Sequence, residues 1–381
     1  MIRFGRVWHS LLVQGIVLCL IGLVAGPVAA QNAASATINT TMDQTSKSKL
    51  GFGHGSVIAA PIPLKNPALG TGLIGTAGYM FKLDEDSNTS FIGAAGLYTN
   101  NGSMGAGLAA NLYFGDGRWA IKALYGRADI NYAVSSLSGA PFDDVPLSQS
   151  GTIGQLKASY GVTQNLAFGI DAQYLDTIIR LNRDTDFPLG NLPGFGVSIQ
   201  ELLVGPTIEW DSRDDNIYPT KGIDVLFTGQ YGQGLGRLQH NFQKGVLVGK
   251  GFVPVGKKGV FGFDGTICSV SDGAPFFNLC AVGLTDSLRG YPVGQYFSNA
   301  LISAQAEFRY IFTPRWGGVA FAGTSSVGES FGSLTSPDAI YAGGVGVRYR
   351  LSKTFPIDFS FDVSVNKEGQ VYQYIYLGQQ F

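Results

Sequence analysis

The chain has 381 residues, of which 14% are charged and 45% are hydrophobic, and its formal net charge is −1 at pH 7. A net charge so close to zero gives no electrostatic support for nucleic-acid binding. No apolar run after residue 30 approaches the roughly 18–20 residues of a membrane-spanning helix, so the composition leaves a soluble β protein or a transmembrane β-barrel.

The amino-terminal 30 residues have the pattern of a secretory signal peptide. Arg3 and Arg6 precede an apolar segment at residues 11–24, and Ala29 and Ala30 provide small residues before Gln31. A membrane anchor is the alternative, which the short apolar segment disfavours. Residues 31–50 are polar and without an apolar period, which predicts a flexible leader.

From residue 51 onwards the sequence predicts strands and turns. Residues 301–312 place apolar side chains at even positions and Ser303, Gln305, Glu307 and Arg309 at odd positions. Residues 198–211 and 357–366 alternate in the same way. A period of two predicts strands with one apolar and one polar face, which suits both a sandwich and a wide barrel.

The lengths of the connections favour the barrel. Short connections are expected at 83–88, 115–117, 162–165, 254–258, 313–315 and 352–355. Longer connections, expected at 133–149, 180–196, 271–299 and 327–337, are interleaved with them. Short turns at one end and long loops at the other are typical of outer-membrane barrels. Residues 51–381 are therefore predicted to form an all-β, antiparallel transmembrane barrel of about 16 strands.

The first and last strands must pair to close such a barrel. The last strand carries Tyr372, Tyr374 and Tyr376, which are expected in an interface girdle or a lipid-facing stripe. The first strand is expected at about residues 54–60 and to be short, because Pro61 and Pro63 limit pairing. A short first strand predicts a weak seam.

Several segments together resemble the BamA/TamA (bacterial surface antigen type) family of outer-membrane β-barrels. They are Asn-Pro-Ala-Leu-Gly-Thr-Gly at 66–72, the segment from Trp210 to Gly222, Leu-Arg-Gly-Tyr at 288–291, Ala-Glu-Phe-Arg at 306–309 and Tyr-Leu-Gly at 376–378. The resemblance implies the outer membrane of a Gram-negative-type bacterium. It also implies that the tip formed by Leu288, Arg289, Gly290 and Tyr291 folds back into the lumen.

Two features depart from the family. Only residues 31–50 separate the signal peptide from the barrel, so the chain is expected to be a short member without POTRA domains. Gly323 stands where the family tends to have an aspartate that receives the loop arginine.

An arginine in the lumen needs a carboxylate, because an unpaired and poorly hydrated cation is costly. Glu307 has the inward phase and is the expected partner of Arg289, and Asp264 and Asp362 also face inward. A solvated loop arginine is the alternative.

The segment at 211–222 resembles a conserved periplasmic turn, with Asp211, Arg213, Asp214, Pro219 and Gly222 as its motif residues. Its aspartates can bond local backbone amides, and its proline and glycine shape the turn, so the expected role is structural. Direct contact with a client is the alternative.

The last strand carries a further expected signal. Tyr376, Gly378 and the final residue Phe381 resemble the outer-membrane insertion signal.

Cys268 and Cys280 follow the signal peptide, and two thiols in an oxidising compartment predict a disulfide. His54 and His240 are far apart in the sequence, which gives little support for a metal site. Neither a Gly-x-Ser-x-Gly motif nor a cysteine–histidine pairing suggests a nucleophile, so neither an enzyme nor a cofactor is expected.

The resemblance implies a role in outer-membrane protein assembly or polypeptide translocation. The implied partners are outer-membrane lipid, client polypeptides or a periplasmic partner protein, and not nucleic acid. A passive channel for ions or small solutes is the alternative, as is a structural barrel that works with a partner.

Overall fold

A computed structural model describes residues 51–66, 69–85, 87, 89–137, 140–181, 198–215, 218–236, 239–283, 288–291, 295–334, 339–350 and 358–381. The predicted signal peptide and leader, residues 1–50, lie outside the described residues. Within the described ranges, no helix is long and apolar enough to cross a membrane.

In the described residues, sixteen antiparallel strands form a closed barrel, which confirms the predicted fold class. They are β1 (Ser56–Asn66), β2 (Gly70–Phe81), β3 (Ser90–Thr99), β4 (Met104–Phe114), β5 (Trp119–Leu137), β6 (Ala140–Gly161), β7 (Leu166–Leu181), β8 (Ser198–Asp211), β9 (Gly222–Gly234), β10 (Asn241–Val255), β11 (Gly259–Val270), β14 (Ala300–Ile311), β15 (Trp316–Gly328), β16 (Ile340–Arg350), β17 (Asp358–Asn366) and β18 (Val371–Leu377). Each strand pairs with its neighbours in sequence, except that β11 pairs with β14 and β18 closes onto β1.

A separate two-stranded sheet, β12 (Cys280–Ala281) with β13 (Phe297–Ser298), lies in the connection between β11 and β14. Short 3₁₀ turns occur at Phe52–His54, Phe276–Asn278 and Phe331–Ser333.

The alternation in the sequence determines which face of each strand meets the lipid. On β14, Ile302 and Tyr310 are 44% and 40% exposed on the outer surface, whereas Glu307 and Arg309 are each 1% exposed inside. Because successive side chains point to opposite faces, one polar residue placed inside fixes the phase of the whole strand.

The predicted long loop at 133–149 is wrong. Instead, β5 and β6 continue to pair until Leu137 meets Ala140. A register shift between Val134 and Ser136 places three residues of β6 opposite one residue of β5, and the ladder continues past Pro141 and Pro146.

The predicted end of the first strand is also wrong. β1 runs through both prolines to Asn66, and it pairs with β2 continuously from Ser56–Met80 to Asn66–Gly70. In an antiparallel pair only alternate residues donate N–H groups to a given neighbour. Pro61 and Pro63 occupy the same alternating set, so they can lie in the strand as long as other residues supply the donors to β2.

The expected outward position of the tyrosines on β18 is wrong as well. Tyr374 and Tyr376 are 7% and 1% exposed and face the lumen. The register of β18 against β17 explains this, because it pairs Tyr374 with Asp362 and Tyr376 with Ser360. Directly paired residues share one face, and this face of β17 is the polar inner one.

The inner wall on the amino-terminal side of the barrel is apolar. Ile74, Phe91, Leu97, Tyr113 and Leu124 belong to one cluster of buried residues, with exposures of 7% or less. Tyr374 and Tyr376 of β18 join the same cluster. This side of the interior is therefore filled by packed side chains.

Candidate functional site in the barrel lumen

The connection between β11 and β14 forms a plug inside the barrel. A disulfide joins Cys268 near the end of β11 to Cys280 of β12, with Cα atoms 5.7 Å apart. The β12–β13 ladder follows, pairing Cys280 with Ser298 and Ala281 with Phe297. These two constraints hold the base of the connection, from which the 288–291 tip extends.

Apolar side chains fix the plug against the wall. Leu288, Tyr291 and Phe297 are 3–4% exposed and pack in one cluster with Leu301 of β14 and Ile340 of β16. Burial of large apolar side chains is the main favourable term for such a contact.

The opposite side of the plug is held by a polar contact. Asn278 donates to both carboxylate oxygens of Glu201 on β8, at 2.7 and 2.9 Å. His240 Nε2 lies 3.1 Å from the same carboxylate. The plug therefore spans the lumen from β8 to β16.

Arg289 lies at the end of the plug, in the interior of the barrel, and is 3% exposed. Its Nη2 atom is 2.6 Å from Glu307 Oε2 on β14, and its Nη1 atom is 2.7 Å from Asp362 Oδ2 on β17. Its Nε donates to Gln305 Oε1 at 3.2 Å, and its guanidinium carbon is 3.5 Å from the centroid of the Phe321 ring. We call Arg289, Glu307 and Asp362 the lumen clasp.

The charges in the lumen clasp are strongly coupled. Burial opposes the charge of Arg289, but the Glu307 and Asp362 carboxylates outweigh burial and raise the pKa of the guanidinium. Removal of one partner from a buried ion pair leaves an uncompensated charge, which typically costs about 3–5 kcal/mol.

Gly290 allows the tip to approach the wall. Its φ of +112° is in the region that favours glycine, and an added Cβ would lie 2.7 Å from Ala342 Cβ. Its N–H donates to the Tyr374 hydroxyl on β18 at 2.9 Å. The tip is thereby bonded to the last strand of the barrel.

Gly323 proves to have a packing role. An added Cβ there would lie 2.8 Å from Leu288 Cδ1, so the glycine makes room for the tip. The acceptor that β15 does not provide comes from Asp362 on β17, two strands further along the wall.

A polar network continues from the lumen clasp towards the rim with the short turns. Asp362 bonds Arg348, and it also accepts a hydrogen bond from the Tyr376 hydroxyl at 2.6 Å. Arg348 Nε donates to Gln379 Oε1 at 3.1 Å, and Gln379 donates to Asp358 at 2.7 Å. The lumen clasp is therefore linked to the residues that follow β18.

The turn between β8 and β9 is stabilised by its own aspartates. Asp214 accepts hydrogen bonds from the Thr220 and Lys221 amides, at 2.9 and 3.1 Å. Burial opposes its ionisation, but these bonds and one from the Thr220 hydroxyl lower the pKa of Asp214 below its ordinary value. Asp211 pairs with Arg213 at 2.8 Å.

Two further motif residues shape this turn. Gly222 has a φ of +100°, and an added Cβ would lie 2.4 Å from the Ser212 carbonyl oxygen. The Pro219 carbonyl accepts a hydrogen bond from Arg309 Nη1 at 3.4 Å, which connects the turn to β14.

The residues after β18 turn into the barrel. Gly378 has a φ of +93°, and its N–H donates to the Asp358 carbonyl at 2.7 Å. Phe381 is 5% exposed and packs with Phe252 and Val260, with Tyr218 against this cluster.

The structure thus brings Arg289 to Glu307, Cys268 to Cys280, and Tyr376 close to the lumen clasp. Glu307 was the expected partner of Arg289 and Asp362 was expected only to face inward, whereas Gln305 and Phe321 were not predicted at the site. Asp362 had the inward phase, which was the available signal for it. No pattern in the sequence predicts the contact of Arg289 with Phe321, because this contact depends on where the tip lies in the lumen.

Comparisons with known proteins agree with this architecture. Residues 193–381 match the family described as the Omp85 superfamily domain. No curated protein sequence matches the chain. Among solved structures, BamA from Haemophilus ducreyi lacking POTRA domains 1-3 superposes with a TM-score of 0.55 and 16% identity, over 85% of this chain and 69% of that chain.

CdiB from Acinetobacter baumannii gives a TM-score of 0.55 and 10% identity, over 85% of this chain and 59% of that chain. CdiB from Escherichia coli gives 0.53 and 12%, with 85% and 62% covered, so the chain spans less than two thirds of both CdiB chains. The expected BamA/TamA resemblance and outer-membrane location are confirmed. Residues 193–381 belong to the Omp85 superfamily, and the protein is an outer-membrane β-barrel of a Gram-negative bacterium.

Proposed function

We propose that the protein assists outer-membrane protein assembly or polypeptide translocation through a seam between β1 and β18 that opens to a client polypeptide. The observation that carries this proposal is the position of Pro61 and Pro63 within β1. The class of activity is proposed from the similarity to BamA and CdiB, which are Omp85-family barrels of outer-membrane protein assembly or polypeptide secretion.

The prolines weaken one side of β1. Pairing with β2 is continuous, so the donors to β2 come from the residues between the prolines. The two absent N–H groups therefore fall on the side that faces β18, where Lys65 pairs with Ile375. Continued from the Lys65–Ile375 pair, the antiparallel register places Pro63 opposite Leu377, the last residue of β18, and Pro61 beyond the end of that strand. The N–H that Pro63 lacks removes about 0.5–1.5 kcal/mol from a short pairing, so the seam is expected to open more easily than the other strand pairs.

The lumen clasp is proposed to control this seam. Tyr374 and Tyr376 of β18 bond Gly290 and Asp362, so the plug and the last strand share contacts. A client that displaces β18 would also disturb the partners of Arg289. Opening of the seam and movement of the plug are therefore expected to be coupled.

A passive channel receives less support. The plug crosses the lumen, the residues after β18 occupy the rim with the short turns, and the amino-terminal wall is packed with apolar side chains. A porin needs a continuous polar path, and this interior is closed along much of its section.

We propose three further roles. The Asp211–Gly222 turn shapes the rim next to the plug. Membrane insertion depends on Tyr376, Gly378 and Phe381, and the barrel binds a client or a periplasmic partner. The protein is proposed to act without catalysis, as a barrel with a movable seam.

Depletion of the protein followed by quantitative outer-membrane proteomics tests the proposal. Loss of particular barrels or surface proteins, with recovery on re-expression, is the expected result. An unchanged proteome together with lower uptake of small solutes would favour the channel.

A further inference from the structure

A cavity of about 220 Å³ lies at the rim with the short turns, beside the turn that joins β14 to β15. Four arginines line it, and the one carboxylate in its described lining is Asp358. The arginines are Arg309 on β14, Arg315 in the turn, and Arg348 and Arg350 on β16. The cavity is separate from the tip of the plug.

One of these arginines has an unused donor. Arg309 is 1% exposed, its Nε donates to Glu307 at 2.7 Å and its Nη1 donates to Pro219. Its Nη2 atom has no hydrogen-bond partner among the described residues. A buried charged donor without an acceptor is unfavourable, so a ligand that accepts a hydrogen bond would stabilise the site.

The local charge also favours an anion. Arg289 and three of the cavity arginines, Arg309, Arg348 and Arg350, pair with the carboxylates of Glu307, Asp358 and Asp362, and Arg315 adds a fifth guanidinium beside them. Five guanidinium groups and three carboxylates leave a surplus of two positive charges among these groups. A carboxylate on Phe381 would neutralise one of these two positive charges and leave a surplus of one.

The cavity also reaches the level of the membrane surface. Tyr310 and Trp316 line it and are 40% and 50% exposed on the lipid-facing side. Trp316 contacts Tyr349 with ring centroids 4.9 Å apart. Aromatic girdles of this kind mark the headgroup region of the bilayer, where lipid phosphates lie.

We propose that this cavity binds a phosphate group, presented by the headgroup of a phospholipid in the periplasmic leaflet. Guanidinium groups bind phosphate through parallel hydrogen bonds, which suits a pocket with four arginines. The apolar and aromatic side of the pocket would contact the glycerol and the first methylenes of the acyl chains. The lipid would hold the rim of β14–β16 in the membrane.

Native mass spectrometry of the full chain, released from detergent micelles, tests this proposal. The delipidated protein is titrated with dihexanoyl-phosphatidylglycerol, with dihexanoylglycerol, which lacks the phosphate, and with glycerol phosphate, which lacks the chains. A saturable 1:1 adduct with the phosphatidylglycerol and none with the dihexanoylglycerol is expected.

Arg315→Gln removes a cavity arginine that has no carboxylate partner among the described residues. Loss of a charged hydrogen-bond partner predicts about tenfold to a hundredfold weaker lipid binding. Arg309→Gln should act in the same direction, and if that variant fails to fold, as judged by heat-modifiable migration, Arg315→Gln alone decides.

The chain provides a matched control in the turn between β4 and β5. Arg118 precedes Trp119 as Arg315 precedes Trp316, and Arg118 Nη1 donates to Tyr160 as Arg315 Nη1 donates to Tyr349, at 3.2 and 3.4 Å. Arg118→Gln should leave lipid binding unchanged, because Arg118 is outside the cavity.

Three outcomes would overturn the proposal: no saturable adduct in the unmodified protein, equal binding of dihexanoylglycerol, or an equal loss in Arg118→Gln and Arg315→Gln. If glycerol phosphate binds, the phosphatidylglycerol does not, and Arg315→Gln abolishes the binding, the cavity is a phosphate site but a lipid is not its ligand.

Discussion

Arg289 and Glu307 are 18 positions apart in the sequence, yet a guanidinium nitrogen of one lies 2.6 Å from a carboxylate oxygen of the other inside the barrel. The second carboxylate, Asp362, approaches the same guanidinium from β17 at 2.7 Å. One cation thus joins the plug to two separated strands of the wall.

Arg289→Ala is expected to destabilise the barrel by about 3 kcal/mol, at the lower end for a broken buried pair, because Arg309 and Arg348 remain beside the carboxylates. Glu307→Ala should lower the free energy of unfolding by less than the loss of a carboxylate from an isolated ion pair, because Asp362 still pairs with Arg289. The two effects should be non-additive by about 0.5–3 kcal/mol, measured by urea unfolding of the heat-modifiable barrel.

The same variants test the plug. If the lumen clasp holds the plug in place, both single variants should raise conductance in planar bilayers. Arg118→Ala, at the rim with the short turns, is the control and should leave conductance unchanged. Simple additivity with unchanged conductance would reject the lumen clasp.

The disulfide between Cys268 and Cys280 joins residues 12 positions apart. The chain-entropy argument predicts that Cys268→Ser with Cys280→Ser lowers the free energy of unfolding by about 2–3 kcal/mol. The barrel ladder does not depend on this bond, so the variant should still insert and show greater proteolysis of the plug. Mass spectrometry of non-reduced peptides checks the premise, and two free thiols in native membranes would contradict it.

Asp214 predicts an acid-sensitive turn. Its folded-state pKa is lowered by the donors around it, so it contributes stability above its unfolded pKa of about 3.9, which is lost as the pH falls through the folded value. Asp214→Asn should therefore reduce thermal stability at neutral pH and flatten its decline below about pH 4.

Asp116 provides the control for the pH experiment. It occupies another short turn, with a φ of +57° that asparagine also accepts. Asp116→Asn should therefore show the same loss of thermal stability in acid as the unmodified chain. An identical pH profile for Asp214→Asn and the unmodified chain would refute the proposed role of Asp214.

Phe381 is expected to act in two ways. Its deletion should lower the yield of inserted protein if the last strand is an insertion signal. Phe381→Ala should also destabilise the inserted barrel by about 3–5 kcal/mol, because the side chain packs with Phe252 and Val260 inside the lumen. Normal insertion of the deletion variant in a pulse-chase assay would remove the argument from the signal.

The sequence predicts the barrel well because its signal is local. On β14 the alternation of Glu307 and Arg309 with apolar neighbours is enough to assign the inner face, and the spacing of the turns is enough to count the strands. Features that depend on pairing between distant segments are harder to predict from the sequence. The inward position of Tyr376 follows from the register of β18 against β17, which no local pattern determines.

The candidate site shows the same division. The inward phase identified Glu307, Asp264 and Asp362 as possible partners of Arg289. The choice among them depends on where a long plug ends in three dimensions, and Gly323 contributes to that choice by making room for Leu288. The prolines of β1 predicted a short first strand, which is wrong, because β1 pairs with β2 up to Asn66. The weak seam stays a proposal, which now depends on the side of β1 that faces β18.

The proposed opening of the seam between β1 and β18 to a client polypeptide can be tested with a reversible covalent lock across the two strands. Lys65 and Ile375 pair across the seam, and paired antiparallel residues are close enough for a disulfide. Lys65→Cys with Ile375→Cys is expressed in depleted cells under oxidising conditions. Val345→Cys with Val363→Cys, across β16 and β17, is the control.

If the seam must open, the cross-linked seam variant should fail to restore the outer-membrane proteome until reductant is added, whereas the control variant should restore it with and without reductant. Full restoration by a quantitatively cross-linked seam would contradict the proposed opening.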